Sequence, residues 1–223
     1  MHIGVIGGIG PAATDYYYRK LIQTYALNDR ELELTIVHAD TPTLLKNLAA
    51  GQKEHQVAIY QKLAKRLKLA GAECVVVTSI AGHFCIEAFE AVAELPVINI
   101  LTAVNNEVGQ RQYDAVGIIG TKTVMETRFY NGISGAKVII PAPDDLNDVH
   151  EAYSEMATLG AASQEHIDVF HNASKRMIQN EGAQAIMMGG TDLALVYQAE
   201  TAPFQIVDCA EIHVREIFRQ ATK

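Results

Sequence analysis

The chain has 223 residues, 49% hydrophobic and 20% charged, with a formal net charge of −8. That length buries a proper core in one large domain or two small lobes, and no Lys/Arg cluster rises above the acidic background, so nucleic acid is not an expected partner. No apolar run approaches the roughly 18 residues of a membrane span, and no basic leader with a cleavage site opens the chain, so neither membrane nor secretion is expected. Cys74, Cys85 and Cys209 have no paired spacing and suit a reducing, cytoplasmic setting.

In chain order, "HIGVIG" reads as a strand and leads to a helix from about Pro11 to Tyr25. "LELTIVHA" is a second strand, followed by a helix through "EHQVAIYQKLAKRLKLAG", where "KLAKRLK" at 62–68 has the spacing of a solvated helix face. "ECVVVTS" is a third strand, then a short helix near 84–93 and a further strand in "LPVINI". Val/Ile runs without polar alternation suit strands covered on both faces, so the fold class is α/β with parallel sheets.

Three segments recur in the same order. "GVIG" at 4–7 returns as "GIIG" at 117–120, "AGAECVVVTS" at 70–79 as "EGAQAIMMGG" at 181–190, and "LPVINI" at 95–100 as "APFQIVD" at 202–208. The ordered repetition predicts two similar lobes, the first over 1–98 plus 209–223 and the second over 99–208. In open α/β sheets ligands bind outside the carboxyl ends of strands. A cleft between two such lobes would be lined by matching strand ends, with Ser79 the counterpart of Gly190.

Each strand end carries a motif. "GGIGPAAT" places Gly8, Gly10 and Ala13 in the dinucleotide-binding spacing, with Asp40 as the ribose partner; the same turn, with Pro11 and Thr14, equally suits an anion-binding helix start. In "GTKTVMETRFY", Thr121 and Thr123 could hold a carboxylate or phosphate, or Thr121 could simply cap a helix. "TSIAGH" sets His83 four residues after Ser79, either as a serine–base pair or as a side chain tying a turn to the backbone. In "GGTDLAL", Thr191 and Asp192 follow Gly190, where Asp192 could be only a favourable helix-start charge. His166 and His171 are five apart, the wrong spacing for a shared metal face, and no metal is expected.

Together "GVIGGIGPAAT", "TSIAGH", "VGIIGTKTVMETRFY", "IPAPDDLNDVHEAY", "GAQAIMMGGTD" and "IVDCAEIH" resemble the aspartate/glutamate racemase family over essentially the whole chain. The resemblance implies two α/β lobes with the active site in the cleft between them, commonly a homodimer, and no pyridoxal cofactor or metal. It also implies one cysteine per lobe, on opposite sides of the substrate α-carbon, one removing a proton and the other returning one. In this sequence Ser79 and Gly190 stand at those two positions, and Ile80 and Ala81 stand where the family places an Asn and a Thr. A thiol is readily tuned to a thiolate, whereas a serine hydroxyl is far less acidic and glycine has no side chain.

The expected function is therefore that of a racemase-family protein acting on an amino acid or small carboxylic acid, with two-thiol racemisation lost. Catalytic candidates are Ser79, His83, Gly190 and Asp192. Substrate-binding candidates are Gly8, Thr14, Ile80, Ala81, Thr121, Thr123 and Thr191. Divergent lyase or decarboxylase chemistry, a catalytically inactive metabolite- or partner-binding relative, and more distantly an NAD(P)-dependent oxidoreductase are the alternatives.

Overall fold

The computed structural model describes residues 1–8, 11–197 and 202–223. These divide into two compact units, Met1–Asn99 with His213–Lys223, and Ile100–Ile212.

The first unit is built on β1 (Ile3–Gly7), β2 (Leu34–His38) and β3 (Cys74–Val77) in the order β2-β1-β3, all parallel. β1 and β3 are buried throughout, which is why they lack polar alternation. The edge strand β2 is only partly covered. α1 (Pro11–Leu27), α2 (Thr41–Ala49), α3 (Lys53–Leu69) and α4 (Ile86–Glu90) connect and flank them. In α3, Leu63, Ala64 and Leu67 are buried while Lys62, Lys65 and Arg66 are exposed, an amphipathic face at helical period.

The second unit has β4 (Ala115–Gly120), β5 (Lys137–Ile139), β6 (Ala185–Gly189) and β7 (Ile206–Asp208) in the parallel order β5-β4-β6-β7. α5 (Ile100–Gln110), α6 (Lys122–Glu126), α7 (Pro143–Leu159) and α8 (Gln164–Glu181) flank it. α9 (Cys209–Ala221) follows β7.

The two sheets repeat one plan. β1 and β4 are central, β2 and β5 lie to one side, and β3 and β6 to the other. The strand expected in "LPVINI" shrinks to a single bridge, Val75 with Val97, which nonetheless sits beside β3 as β7 sits beside β6. Its two hydrogen bonds run from Val75 N to Pro96 O (2.9 Å) and from Ile98 N to Val75 O (3.0 Å). Pro96 has no N–H for a ladder, and the chain enters α5 at Ile100, so the pairing ends there. α2 is an additional helix absent from the sequence reading. Pro42 sits in its first turn, and the Asp40 carboxylate caps it by accepting from Thr43 N (2.9 Å).

Candidate functional site

The carboxyl ends of β1 and β3 are adjacent in the first unit, with Ile6 opposite Val77. Gly8 leaves β1 at φ +90, where a Cβ would stand 2.5 Å from the Ala39 carbonyl oxygen and nearer still to the His38 ring. Nor is the Gly8 backbone N–H a free donor. It donates to Thr14 Oγ1 (2.8 Å), because the first turn of α1 folds its threonine back onto the preceding loop. Thr14 Oγ1 also lies 3.3 Å from Thr78 Oγ1, so the ends of β1 and β3 are stitched by hydroxyls. Gly8, Thr14, Asp15, Tyr18, Ile36 and His38 border a hollow of about 330 Å³ at this end of the unit. Gly10 of the dinucleotide motif lies outside the described residues. The expected ribose partner, Asp40, is exposed and turns one carboxylate oxygen, Oδ2, to the α2 cap and to Thr43 Oγ1 (2.6 Å).

Beyond β3 the chain winds into a 3-10 turn, Ala81–Cys85. Ser79 and His83 do meet, but not as a nucleophile with its base. His83 Nδ1 lies 2.6 Å from the Ser79 carbonyl oxygen, while Ser79 Oγ accepts from Gly82 N (3.2 Å). The 3-10 winding brings the ring back onto the main chain of Ser79, so His83 does not face the hydroxyl. A carbonyl only accepts, which makes Nδ1 the protonated nitrogen and leaves Nε2 with a free lone pair. That Nε2 is buried with no partner among the described residues. Burial pulls the His83 pKa down to about 4, the bond to Ser79 opposing it, so the ring is neutral near pH 7. Ile80 is buried in the core of its own unit and Ala81 is half-buried. Cys74, Cys85 and Cys209 are buried, and burial pushes the Cys85 thiol up to about 12, so it is no ready thiolate.

In the second unit β4 and β6 end side by side, Gly120 opposite Gly189. Thr121 precedes α6, but its hydroxyl does not cap the helix. The N–H of Lys122 donates instead to His150 Nδ1 (3.3 Å), and Thr121 Oγ1 is buried without a partner among the described residues. Thr123 is half-buried, and its carbonyl accepts from Thr127 Oγ1 (2.7 Å). After β6, Thr191 is buried and opens a 3-10 turn, Thr191–Leu195. Asp192 is more than a helix-start charge, since its Oδ2 accepts from the hydroxyl of Tyr153 on α7 (2.8 Å).

The missing side chain at Gly190 leads one to expect an open wall there. The wall is closed, because a Cβ at this position would stand 2.5 Å from Tyr153 Cζ and closer to Cε2 and the hydroxyl. Tyr153 fills that space. Sequence reading missed its role: "HEAY" was visible, but only the packing of α7 aims the ring at Gly190. It also missed His213 of "IVDCAEIH", whose ring is fully buried and bonds Tyr17 OH (2.8 Å) and the Ile98 carbonyl (2.8 Å).

A second groove, of about 480 Å³, is bordered by Arg128, Asn131, Lys137 and Glu181 and holds none of the candidates. Among the described residues, no group of three or more His, Cys, Asp or Glu could hold a metal ion. No helix among them is long and apolar enough to cross a membrane.

Two parallel α/β units of one plan, each with polar turns at the carboxyl ends of its inner strands, define a duplicated doubly wound protein. The sequence model of the Asp/Glu/Hydantoin racemase family matches residues 6–217, and the chain belongs to that family. Among solved structures it is similar to a candidate Asp/Glu racemase from Yersinia pestis, at 28% identity over 100% of both chains with a TM-score of 0.89. It is also similar to an aspartate racemase homologue from Pyrococcus horikoshii, at 26% identity, 100% and 99% coverage and a TM-score of 0.84. The fold extends to the glutamate racemase of Francisella tularensis in complex with D-glutamate, at 16% identity, 99% and 81% coverage and a TM-score of 0.70.

Proposed function

We propose that the protein acts on an amino acid or small carboxylic acid through Ser79, His83, Thr121, Thr191 and Asp192, and that racemisation by two thiols has been lost. The observation that carries this reading is a pair of orphaned atoms. Three buried side-chain atoms have no partner among the described residues, and two of them, His83 Nε2 and Thr121 Oγ1, lie in turns beyond the carboxyl ends of strands, the third being the Tyr25 hydroxyl on α1. Buried polar atoms are nearly always satisfied, so unsatisfied ones at strand ends call for a ligand. His83 Nε2 offers an acceptor, suited to an ammonium or hydroxyl, and Thr121 offers a hydroxyl to a carboxylate.

Ser79 and Gly190 take the two positions where the family's mechanism needs a thiol. Neither replaces it: among the described residues the Ser79 hydroxyl has no base beside it, and Gly190 has no side chain. His83, neutral at pH 7, is a weak base, so it binds more readily than it abstracts. On the same reading the protein works in the cytoplasm as a homodimer, without pyridoxal or metal.

The test is incubation of each enantiomer of aspartate and glutamate with the protein in deuterated water, following the α-proton by NMR. Each general acid–base group is worth roughly 10²–10⁴-fold, so loss of both predicts exchange slower by at least about 10⁴-fold than a two-thiol enzyme gives. Rapid exchange with inversion would overturn the loss of racemisation. Binding of aspartate, glutamate and succinate, measured by calorimetry, should weaken about tenfold or more in Thr121→Val, since a hydrogen bond to a charged group is worth about 1.5–3 kcal/mol. Unchanged binding would remove Thr121 from the site.

A further inference from the structure

Gly190 is not a glycine for conformational reasons. Its backbone is extended, at φ −161 and ψ 138, a geometry any residue adopts. What it lacks is room. Tyr153 reaches this point from α7 with only 9% of its surface exposed, and its hydroxyl is fastened to Asp192 Oδ2 two residues beyond Gly190. The ring is thus held from two sides, by its own burial and by the carboxylate, in the volume where the first atom of any side chain at position 190 would stand. Swinging it aside would break the bond to Asp192 and expose an aromatic face.

We propose that Tyr153 is the specificity-determining residue at the carboxyl end of β6: its ring takes the place of a side chain at position 190, and this strand end presents a phenol fastened to Asp192 instead of a proton-transfer group. Burial, and then the Asp192 charge, raises the Tyr153 pKa well above the usual 10. The phenol therefore stays protonated; with its one proton given to Asp192 it can accept a further hydrogen bond but does not abstract a proton from carbon. Chemistry at this end is limited to shape and hydrogen bonding. That consequence for a ligand rests on the function proposed above, whereas the pairing of Tyr153 with Gly190 does not.

The experiment places Gly190→Cys in three backgrounds, parent, Tyr153→Phe and Tyr153→Ala, and reads the thermal midpoint. Overpacking costs typically 1–3 kcal/mol, which in a chain of this size lowers the midpoint by roughly 3–10 °C. That drop is expected in the parent and in Tyr153→Phe, which keeps the ring. In Tyr153→Ala it should fall to less than half. Tyr153→Leu takes the place of Tyr153→Ala if the latter does not fold. An equal cost in all backgrounds, or none in the parent, overturns the proposal.

A second readout separates blocked space from a general loss of stability. Alkylation by iodoacetamide of the thiol that Gly190→Cys introduces, followed by intact mass, should be at least about tenfold faster with Ala or Leu at position 153 than with Phe, over the background of three buried cysteines. Equal rates overturn the proposal as well. Calorimetry with aspartate, glutamate and succinate keeps the two ideas apart. Coupling between positions 153 and 190 without binding by the parent protein sinks the ligand reading and leaves the pairing intact; binding without coupling does the reverse.

Discussion

His83 and His213 are held uncharged in the first unit, their ring centroids 6.3 Å apart. Both of the polar atoms on His213 are spoken for: Nε2 donates to the Ile98 carbonyl, so Nδ1 accepts from Tyr17 OH. Burial lowers the two pKa values from 6.5 to about 4 for His83 and about 3 for His213, where the neighbouring His83 adds to the effect. Both folded-state values lie below the unfolded one, so their contribution to stability is complete above pH 6.5 and is lost as pH falls toward 4 and then 3. The thermal midpoint should therefore decline steadily from pH 6.5 to 4. His83→Asn should flatten that decline by about one proton's worth, roughly 1.4 kcal/mol per pH unit. A slope unchanged in this variant would mean that His83 is charged or exposed in the native state.

At the scale of elements, the turn after α6 is the strained one. Arg128, Phe129, Tyr130 and Asn131 have φ of 49, 59, 57 and 56, four consecutive non-glycine residues in the left-handed region. Left-handed backbone costs about 1–2 kcal/mol per L-residue, so packing must hold it. Phe129 supplies that packing, fully buried, while Thr127 Oγ1 accepts from Tyr130 N (3.1 Å). Arg128 is exposed, which isolates the backbone effect from the core. Arg128→Gly should leave the urea midpoint equal or higher, because relief of strain offsets the added freedom of the unfolded chain. Arg128→Val should lower stability by about 1 kcal/mol or more, since a β-branched residue at positive φ is a steric outlier. If glycine proves no better than valine, the turn is not strained.

For the whole molecule, the last eleven residues complete the first unit, although more than a hundred residues separate them from the rest of it. Val214 and Ile217 are fully buried, the Phe218 ring meets Tyr25 edge-on at 5.0 Å, and the N-terminal ammonium donates to the Ala221 carbonyl (2.9 Å). Ending the chain at Ile212 removes all of these and the partner of Tyr17. Hydrogen exchange on that truncation should show protection lost in β1, β3 and α1 and retained in β4 and β6. Uniform protection in both sheets would mean that the terminal helix is dispensable.

The α/β class, the parallel sheets and the duplication were legible in the sequence. Buried strands must be continuously apolar, and a duplicated unit keeps its glycines and strand ends in order. The turns carrying Ser79, Thr121 and Gly190 were legible for the same reason. What each turn does was not. Whether His83 faces the Ser79 hydroxyl or its carbonyl depends on a 3-10 winding that "SIAGH" does not announce, and whether "LPVINI" is a strand depends on where α5 begins. Gly190 is the clearest case. In the sequence its missing side chain reads as open space, but space belongs to the packed molecule, and there a tyrosine 37 residues earlier in the chain, carried in on α7, already occupies it.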